Sequence, residues 1–291
     1  MSEQISLTPR VEAIDSEDDG ASPSSWLDVH SEENSEEKTW LANYIASHLI
    51  HYGNVLFMAP GTTNIALAEE IFRLQIQRKE ALDLVFLTNC LSITTLAGLQ
   101  LTRHPEVFRS TQTINTGGTF QQSIDSFVGQ FAARAISSNG LLPDLVFLGA
   151  RSVSFAEQKG LLRYQFEQEL EPQRAFATCP TSHRVLIVDH TKLSSSVGWE
   201  GVTIKELLVN TPRCTIFTSL PENADHMNRF KDSMSSFVEL LKRLKEEEPS
   251  CLEDSSELSL RVIDKAATQV YEVSSRDDNP CWDPSFIKRA A

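Results

Sequence analysis

The chain reads as an α/β protein, a mostly parallel sheet covered by helices on both faces. Three observations predict this. Short apolar runs recur through the middle of the chain, several of them apolar throughout, as in Leu145-Val146-Phe147-Leu148. Strands without polar alternation belong in a sheet buried on both sides. Longer stretches with helical periodicity separate the runs, which supports crossover connections between parallel strands. At 291 residues the chain can bury one large core or two small ones.

In chain order, residues 1–38 are dominated by Ser, Glu and Asp and hold too few apolar residues to offset chain entropy. They read as a disordered acidic arm, in which Trp26, Leu27 and Val29 form a small apolar island that suits a docking motif. Order is expected from about Thr39, where Trp40, Leu41, Tyr44, Ile45, His48 and Leu49 follow helical spacing and Gly53 marks a stop. Expected strands are Val55–Ala59, Leu84–Thr88, Thr111–Asn115, Leu145–Gly149, Arg184–Asp189 and Cys214–Ser219. Expected helices are Asn64–Arg78, Leu91–Thr102, Gln122–Ser138, Phe166–Cys179 (broken or restarted at Pro172), Thr203–Val209 and Ala224–Glu247. Residues 39–247 thus form one α/β domain. Residues 248–291 form a C-terminal extension, with Leu258–Ile263 and Thr268–Val273 as short strands or irregular structure, and with Trp282 and Phe286 free to pack on the core or serve a partner.

Charge and cysteines narrow the class. The net charge is −14, and residues 1–39 carry eleven acids against Arg10 and Lys38, so that segment holds −9 and the other 252 residues −5. An acidic chain without a basic stripe repels a phosphodiester backbone, so direct nucleic-acid binding is not expected. Cys90, Cys179, Cys214, Cys251 and Cys281 lie far apart without a Cys-x-x-Cys pair, which argues against a zinc site or a disulfide framework. No apolar run reaches membrane-spanning length, and the N-terminus is polar. A soluble, reduced, cytoplasmic protein is expected, a nuclear location being open; no cofactor and no metal is expected, His48 and His51 facing solvent or a neighbour.

The most informative stretch is Ala59-Pro60-Gly61-Thr62-Thr63-Asn64, between an apolar strand and a helix. A strand that turns through Gly-Thr-Thr into a helix leaves unpaired amides beside two hydroxyls, which suits an anion such as a phosphate. The same sequence also serves as a plain turn with an N-cap. Further polar motifs follow the later strands: Thr88-Asn89, Gly117-Gly118, Gly149-Ala150, and Asp189-His190-Thr191-Lys192. In open α/β sheets such strand ends converge on a ligand cleft. Glycine pairs let backbone approach a ligand, and Lys192 offers a point charge. Turns and a surface lysine are the alternative readings.

In order, these motifs resemble the C-terminal effector-sensing domain of the DeoR family of sugar-responsive transcription regulators, over residues 38–220. The family's Ser-Gly-Thr-Thr loop, Thr-Asn-Ser, Gly-Gly, Leu-Val-Gly, Phe-Leu-Gly-Ala and Asp-Ser-Ser-Lys read here as Pro60-Gly61-Thr62-Thr63, Thr88-Asn89-Cys90, Gly117-Gly118, Phe127-Val128-Gly129, Phe147-Leu148-Gly149-Ala150 and Asp189-His190-Thr191-Lys192. The resemblance implies the fold shared by ribose-5-phosphate isomerase, glucosamine-6-phosphate deaminase, coenzyme A transferases and initiation factor two-B subunits. It also implies a phosphorylated-sugar ligand held by Gly61, Thr62, Thr63, Thr88, Asn89, Gly117, Gly118, Gly149 and Lys192.

The departures bear on function. Ala59 and Pro60 stand where the sensors carry Asp-Ser, and Arg151 follows Gly149-Ala150 where the family has Asn-Gly and an acid, so Arg151 is a further anion contact or a structural arginine. The family places a winged helix-turn-helix before the sensor. Residues 1–38 are too short and too acidic to supply one, so the chain resembles a sensor without its DNA reader. The expected function is a non-catalytic, sugar-phosphate-binding regulator acting through a partner, homo-oligomer or other protein. Two alternatives stand beside it. One is a sugar-phosphate isomerase of the same fold, with Glu157, Glu167, Glu169 and Glu171 as candidate bases and Lys159 or Lys192 as cations; the other is a subunit-interaction protein like the regulatory initiation factor subunits. No residue is assigned as catalytic.

Overall fold

The computed structural model describes residues 35–194, 197–247, 252, 256–264 and 269–277. Helix α1 (Ser35–Leu49) starts four residues before the expected point, because Glu36 and Glu37 in its first turn suit the positive end of the helix dipole. Its buried face, Leu41, Ala42, Ile45 and Ala46, packs on the sheet. The Trp26–Val29 island, Trp282 and Phe286 lie outside the described residues.

Alternation of strand and helix then builds the sheet. Strand β1 (Val55–Met58) leads to α2 (Thr62–Arg78), β2 (Val85–Thr88) to α3 (Leu91–Arg103) and the short α4 (Pro105–Phe108), and β3 (Gln112–Asn115) follows. A hairpin of β4 (Thr119–Gln121) and β5 (Ser126–Val128) precedes α5 (Gln130–Ser138), and β6 (Leu145–Leu148) enters the sheet centre. Then come β7 (Ser152–Ser154), β8 (Leu161–Tyr164), α6 (Leu170–Thr178), β9 (His183–Ile187), β10 (Trp199–Thr203), α7 (Ile204–Leu207), β11 (Arg213–Ser219), α8 (Ala224–Glu247), β12 (Glu257–Asp264) and β13 (Gln269–Ser274).

Eight strands form the main sheet in the order β13-β12-β11-β9-β6-β1-β2-β3, every pair parallel except β12 with β13. Alternate residues of one strand enter opposite layers. Phe57 and Ala59 face a core with Phe176, Phe230 and Phe237, whereas Leu56 and Met58 face one with Leu41, Ile71 and Phe86. The sheet is therefore covered on both faces, the α/β class expected. Residues 257–264 and 269–274 add the last two strands, so the C-terminal segment is part of this sheet.

Three expectations are corrected. The helix expected over Gln122–Ser138 is a 3-10 turn (Gln122–Ile124), strand β5 and then α5. Asp125 takes the left-handed conformation and its carboxylate accepts from the Ser92 amide at 2.8 Å, which fixes the break, and Gly129 (φ 84°) starts the helix afresh. The helix expected from Phe166 begins as a 3-10 turn at Glu167 and becomes α6 at Leu170, and Pro172 sits in its first turn, where its missing N–H costs nothing. Strands β7, β8 and β10 were not expected; they form a small antiparallel sheet, β10-β8-β7.

Two buried ionisable side chains anchor this framework. Arg184 on β9 is fully buried; its guanidinium donates to the carbonyls of Cys179, Leu207 and Val209, the ends of α6 and α7. A cation here satisfies carbonyls that helix ends leave unpaired. Glu169 is also buried and accepts from the Phe166 amide at 2.8 Å. Burial pushes its carboxyl up from 4.5 to about 7.

Arg184→Met should therefore lower unfolding stability by about 2–4 kcal/mol, read from urea midpoints, since it strands three buried carbonyls. For Glu169, the folded protein keeps a proton that the unfolded chain releases between pH 4.5 and about 7. Its contribution falls as pH rises through that window and is level above it. Glu169→Gln should flatten the pH dependence of the melting temperature across the window, and should stabilise the protein above it by about 1–3 kcal/mol.

Candidate functional site

Parallel register lines the strand ends up along one edge. Met58 pairs with Thr88 on one side and Phe147 on the other, and Thr88 pairs with Asn115. The Gly61, Thr88-Asn89, Gly117-Gly118 and Gly149 segments therefore all leave the sheet at its carboxyl edge. Asp189–Lys192 leaves the same edge from β9, one strand beyond β6.

Gly61 has φ 137° and is the N-cap of α2, with no side-chain cap. A side chain at that φ would be strained, although the space beside it is open. The first bond of the helix runs from the Ile65 amide to the Gly61 carbonyl at 2.9 Å, so the amides of Thr62, Thr63 and Asn64 have no helical partner. Thr63 and Asn64 are buried. The Thr63 hydroxyl and the Asn64 carbonyl oxygen find no hydrogen-bond partner among the described residues. Asn64 Nδ2 donates to the Ala59 carbonyl at 2.9 Å, and a Cβ placed on Gly149 would come within 3.9 Å of the same nitrogen. The loops after β1 and β6 thus meet. Sequence reasoning missed Asn64, which read there only as the first residue of a helix.

The other motifs divide. Thr88 donates to the Met58 carbonyl at 2.7 Å and accepts from the Cys90 amide at 3.0 Å, so its hydroxyl holds the strand end together. Asn89 Nδ2 donates to Ser126 Oγ and the Phe127 carbonyl, anchoring the β4–β5 hairpin, and its Oδ1 is buried without a partner among the described residues. Gly117 and Gly118 both have positive φ; a Cβ on Gly118 would lie 2.8 Å from the Val128 carbonyl, so this pair is a turn packed on the hairpin. The Arg151 amide donates to the Arg163 carbonyl at 2.8 Å, which places Arg151 at the entrance to the small sheet.

Asp189 is buried and accepts from the Thr191 amide, while Lys192 Nζ lies 3.6 Å from its carboxylate and remains partly exposed. Burial alone would raise the Asp189 carboxyl, but Lys192, the Thr191 hydroxyl, Lys38 and His190 together hold it below the usual range. Lys192 is therefore a fixed cation at the strand-end edge.

Two of the acids considered as bases, Glu157 and Glu169, are engaged elsewhere. Glu157 pairs with Arg163 at 2.5 Å, and Glu169 caps the turn before α6. His48 stacks on Tyr44 with ring centroids 4.1 Å apart. Among the described residues no group of three or more His, Cys, Asp or Glu is placed to hold a metal, and Cys90, Cys179 and Cys214 are buried free thiols. Burial pushes the Cys214 thiol up to about 12. Among the same residues no helix is long and apolar enough to cross a membrane.

The chain is similar to several known proteins. The lactose phosphotransferase system repressor of Staphylococcus aureus (strain N315) is 31% identical over 167 residues, 57% of this chain and 56% of that protein. The chain thus spans about half the length of the curated relatives it matches. Among solved structures, ribose 5-phosphate isomerase A of Methanocaldococcus jannaschii has 14% identity and a TM-score of 0.38 over 55% of this chain and 54% of its own. The initiation factor eIF2B beta of Chaetomium thermophilum has 14% identity and a TM-score of 0.31 over 53% and 38%. Residues 33–209, more than half of the chain and all the strand-end motifs described above, match the DeoR C terminal sensor domain, and the chain belongs to that family.

Proposed function

We propose that the protein binds a phosphorylated sugar at the carboxyl edge of β1, β2 and β6, without turnover, and passes the binding event to a partner that acts on transcription. The observation that carries this reading is the set of unpaired groups at the start of α2. The amides of Thr62, Thr63 and Asn64, which have no helical partner, and the buried Thr63 hydroxyl are donors for a phosphate, while the side-chain oxygens of Asn64 and Asn89, without a partner among the described residues, are acceptors for sugar hydroxyls. Buried polar atoms without partners are rare in folded proteins and call for an explanation, and a ligand supplies one. Lys192 adds positive charge at the same edge. Family membership supports the regulatory role, and so does the 31% identity to a sugar-system repressor. The engagement of Glu157 and Glu169 away from the α2 start supports binding without proton transfer.

Calorimetric titration with a panel of pentose and hexose phosphates and their unphosphorylated sugars tests the reading. Thr62→Val or Thr63→Val should weaken the best phosphate ligand by about 1–3 kcal/mol, with no comparable effect on the unphosphorylated sugar. Equal binding of both sugar forms would overturn the assignment.

Lys192→Ala should weaken the same ligand and make its binding less sensitive to salt, since a charge has been removed from the site. It should also raise the Asp189 carboxyl, because the ammonium is a principal group holding it down. Side-chain NMR titration of Asp189 reads that second effect independently of any ligand. Unchanged affinity in a variant whose Asp189 has shifted would leave Lys192 a purely structural cation.

A further inference from the structure

A second concavity opens on the same edge of the sheet, but over β9, β11 and β12. It has a volume of about 330 Å³ and lies between the N-terminal turns of α1 and α8. Its apolar part comes from Leu41, Leu220 and Ile263, with Trp40 along one wall. Ser219, the last residue of β11, lines it; that residue is 7% exposed and its hydroxyl has no hydrogen-bond partner among the described residues. A buried, unpartnered hydroxyl on the wall of a cavity points to a missing partner.

The polar rim presents acceptors. Glu36, Glu37 and Glu222 line it, and no Lys or Arg does. Glu37 Oε1 lies 2.8 Å from His190 Nδ1, and His190 Nε2 lies 3.1 Å from His226 Nδ1. An ionised carboxylate only accepts, so His190 Nδ1–H donates to Glu37, and the two imidazoles share one further hydrogen bond. Asn223 keeps its carbonyl oxygen on the Asp225 amide at 2.8 Å. The cluster therefore places carboxylates, two imidazoles and an indole around an apolar floor. The two helix N-termini beside it would favour an anion, but each already has an acid next to it, Glu36 and Glu37 at α1 and Glu222 and Asp225 at α8.

We propose that this cavity is a second ligand site, separate from the α2 start, and that it takes a small primary amine with an apolar or aromatic body. The ammonium would meet the Glu222 carboxylate and the Trp40 face, with one N–H on Ser219 Oγ, and the body would lie on Leu41 and Ile263. The volume is at the small end of ligand pockets, which limits the body to about one ring. Ser219, Glu222 and His226 lie beyond the family-matched residues 33–209, so the site belongs to this chain's own C-terminal part as much as to the shared domain.

The test uses the full chain and phenethylamine, with 2-phenylethanol and phenylacetate as isosteric controls at constant ionic strength. The amine should bind saturably by calorimetry, and both controls should bind roughly tenfold more weakly or not at all. Glu222→Gln, at an exposed position, and Ser219→Ala should each weaken the amine, while Thr63→Val at the α2 start should not. Equal binding of amine and alcohol, preference for phenylacetate, or indifference of the amine to Glu222→Gln would each overturn the proposal. Unchanged melting temperatures of the unliganded variants separate loss of the site from loss of the fold.

Discussion

The position of the candidate site residues at the strand ends follows from the parallel register at the centre of the sheet. Met58 is flanked by Thr88 and Phe147, Phe147 by Val185, and Ile187 in turn by Phe217. Because all these strands run the same way, their polar exits share one edge and their amino ends share the other. A slip of one residue would exchange the two faces of a strand, sending Phe57 into the layer that Leu56 and Met58 fill. Both faces are dry, so such a slip has no solvent side to move to. The register is accordingly fixed by packing on both faces, and the site inherits that rigidity.

Within this frame two buried charges on one strand are each answered by nearby groups. Arg184 stands near the start of β9 and serves carbonyls from two helix ends that would otherwise be unmet. Asp189, two residues past the same strand, is answered by Lys192 and by the Thr191 amide. One strand thus carries a cation held by oxygens at its start and an anion held by a cation and an N–H at its end. The first secures the framework and the second keeps Lys192 in place at the edge where a ligand would arrive.

Much of the main sheet was legible in the sequence because its strands are continuous apolar runs with strong helices between them. The helix Ala224–Glu247 has the same limits in both, and β1, β2, β3 and β6 differ from expectation by a residue at one end. The short elements escaped. Strand β8 contains Arg163, whose burial depends on Glu157 and is invisible without that partner, and β5 lies inside a run that keeps helical periodicity until Asp125 breaks it. The Gly61-Thr62-Thr63 junction was legible because it is local. Contacts such as Glu37 with His190, 153 residues apart, were not, since nothing in either neighbourhood encodes the other.

The strand order has a consequence for how the chain is made. β1, β2 and β3 occur in the sheet in the order in which they are synthesised, and β6 then joins the free side of β1. After that β9, β11, β12 and β13 each add to the outer edge left by the strand before. No strand has to wait for a later one before it can pair, and none has to be inserted between two already in place. The sheet can therefore grow outward from β1 as the polypeptide leaves the ribosome, with β3 as one fixed edge, and each newly placed strand covers the growing edge, which limits the time that open ladder is exposed to other chains.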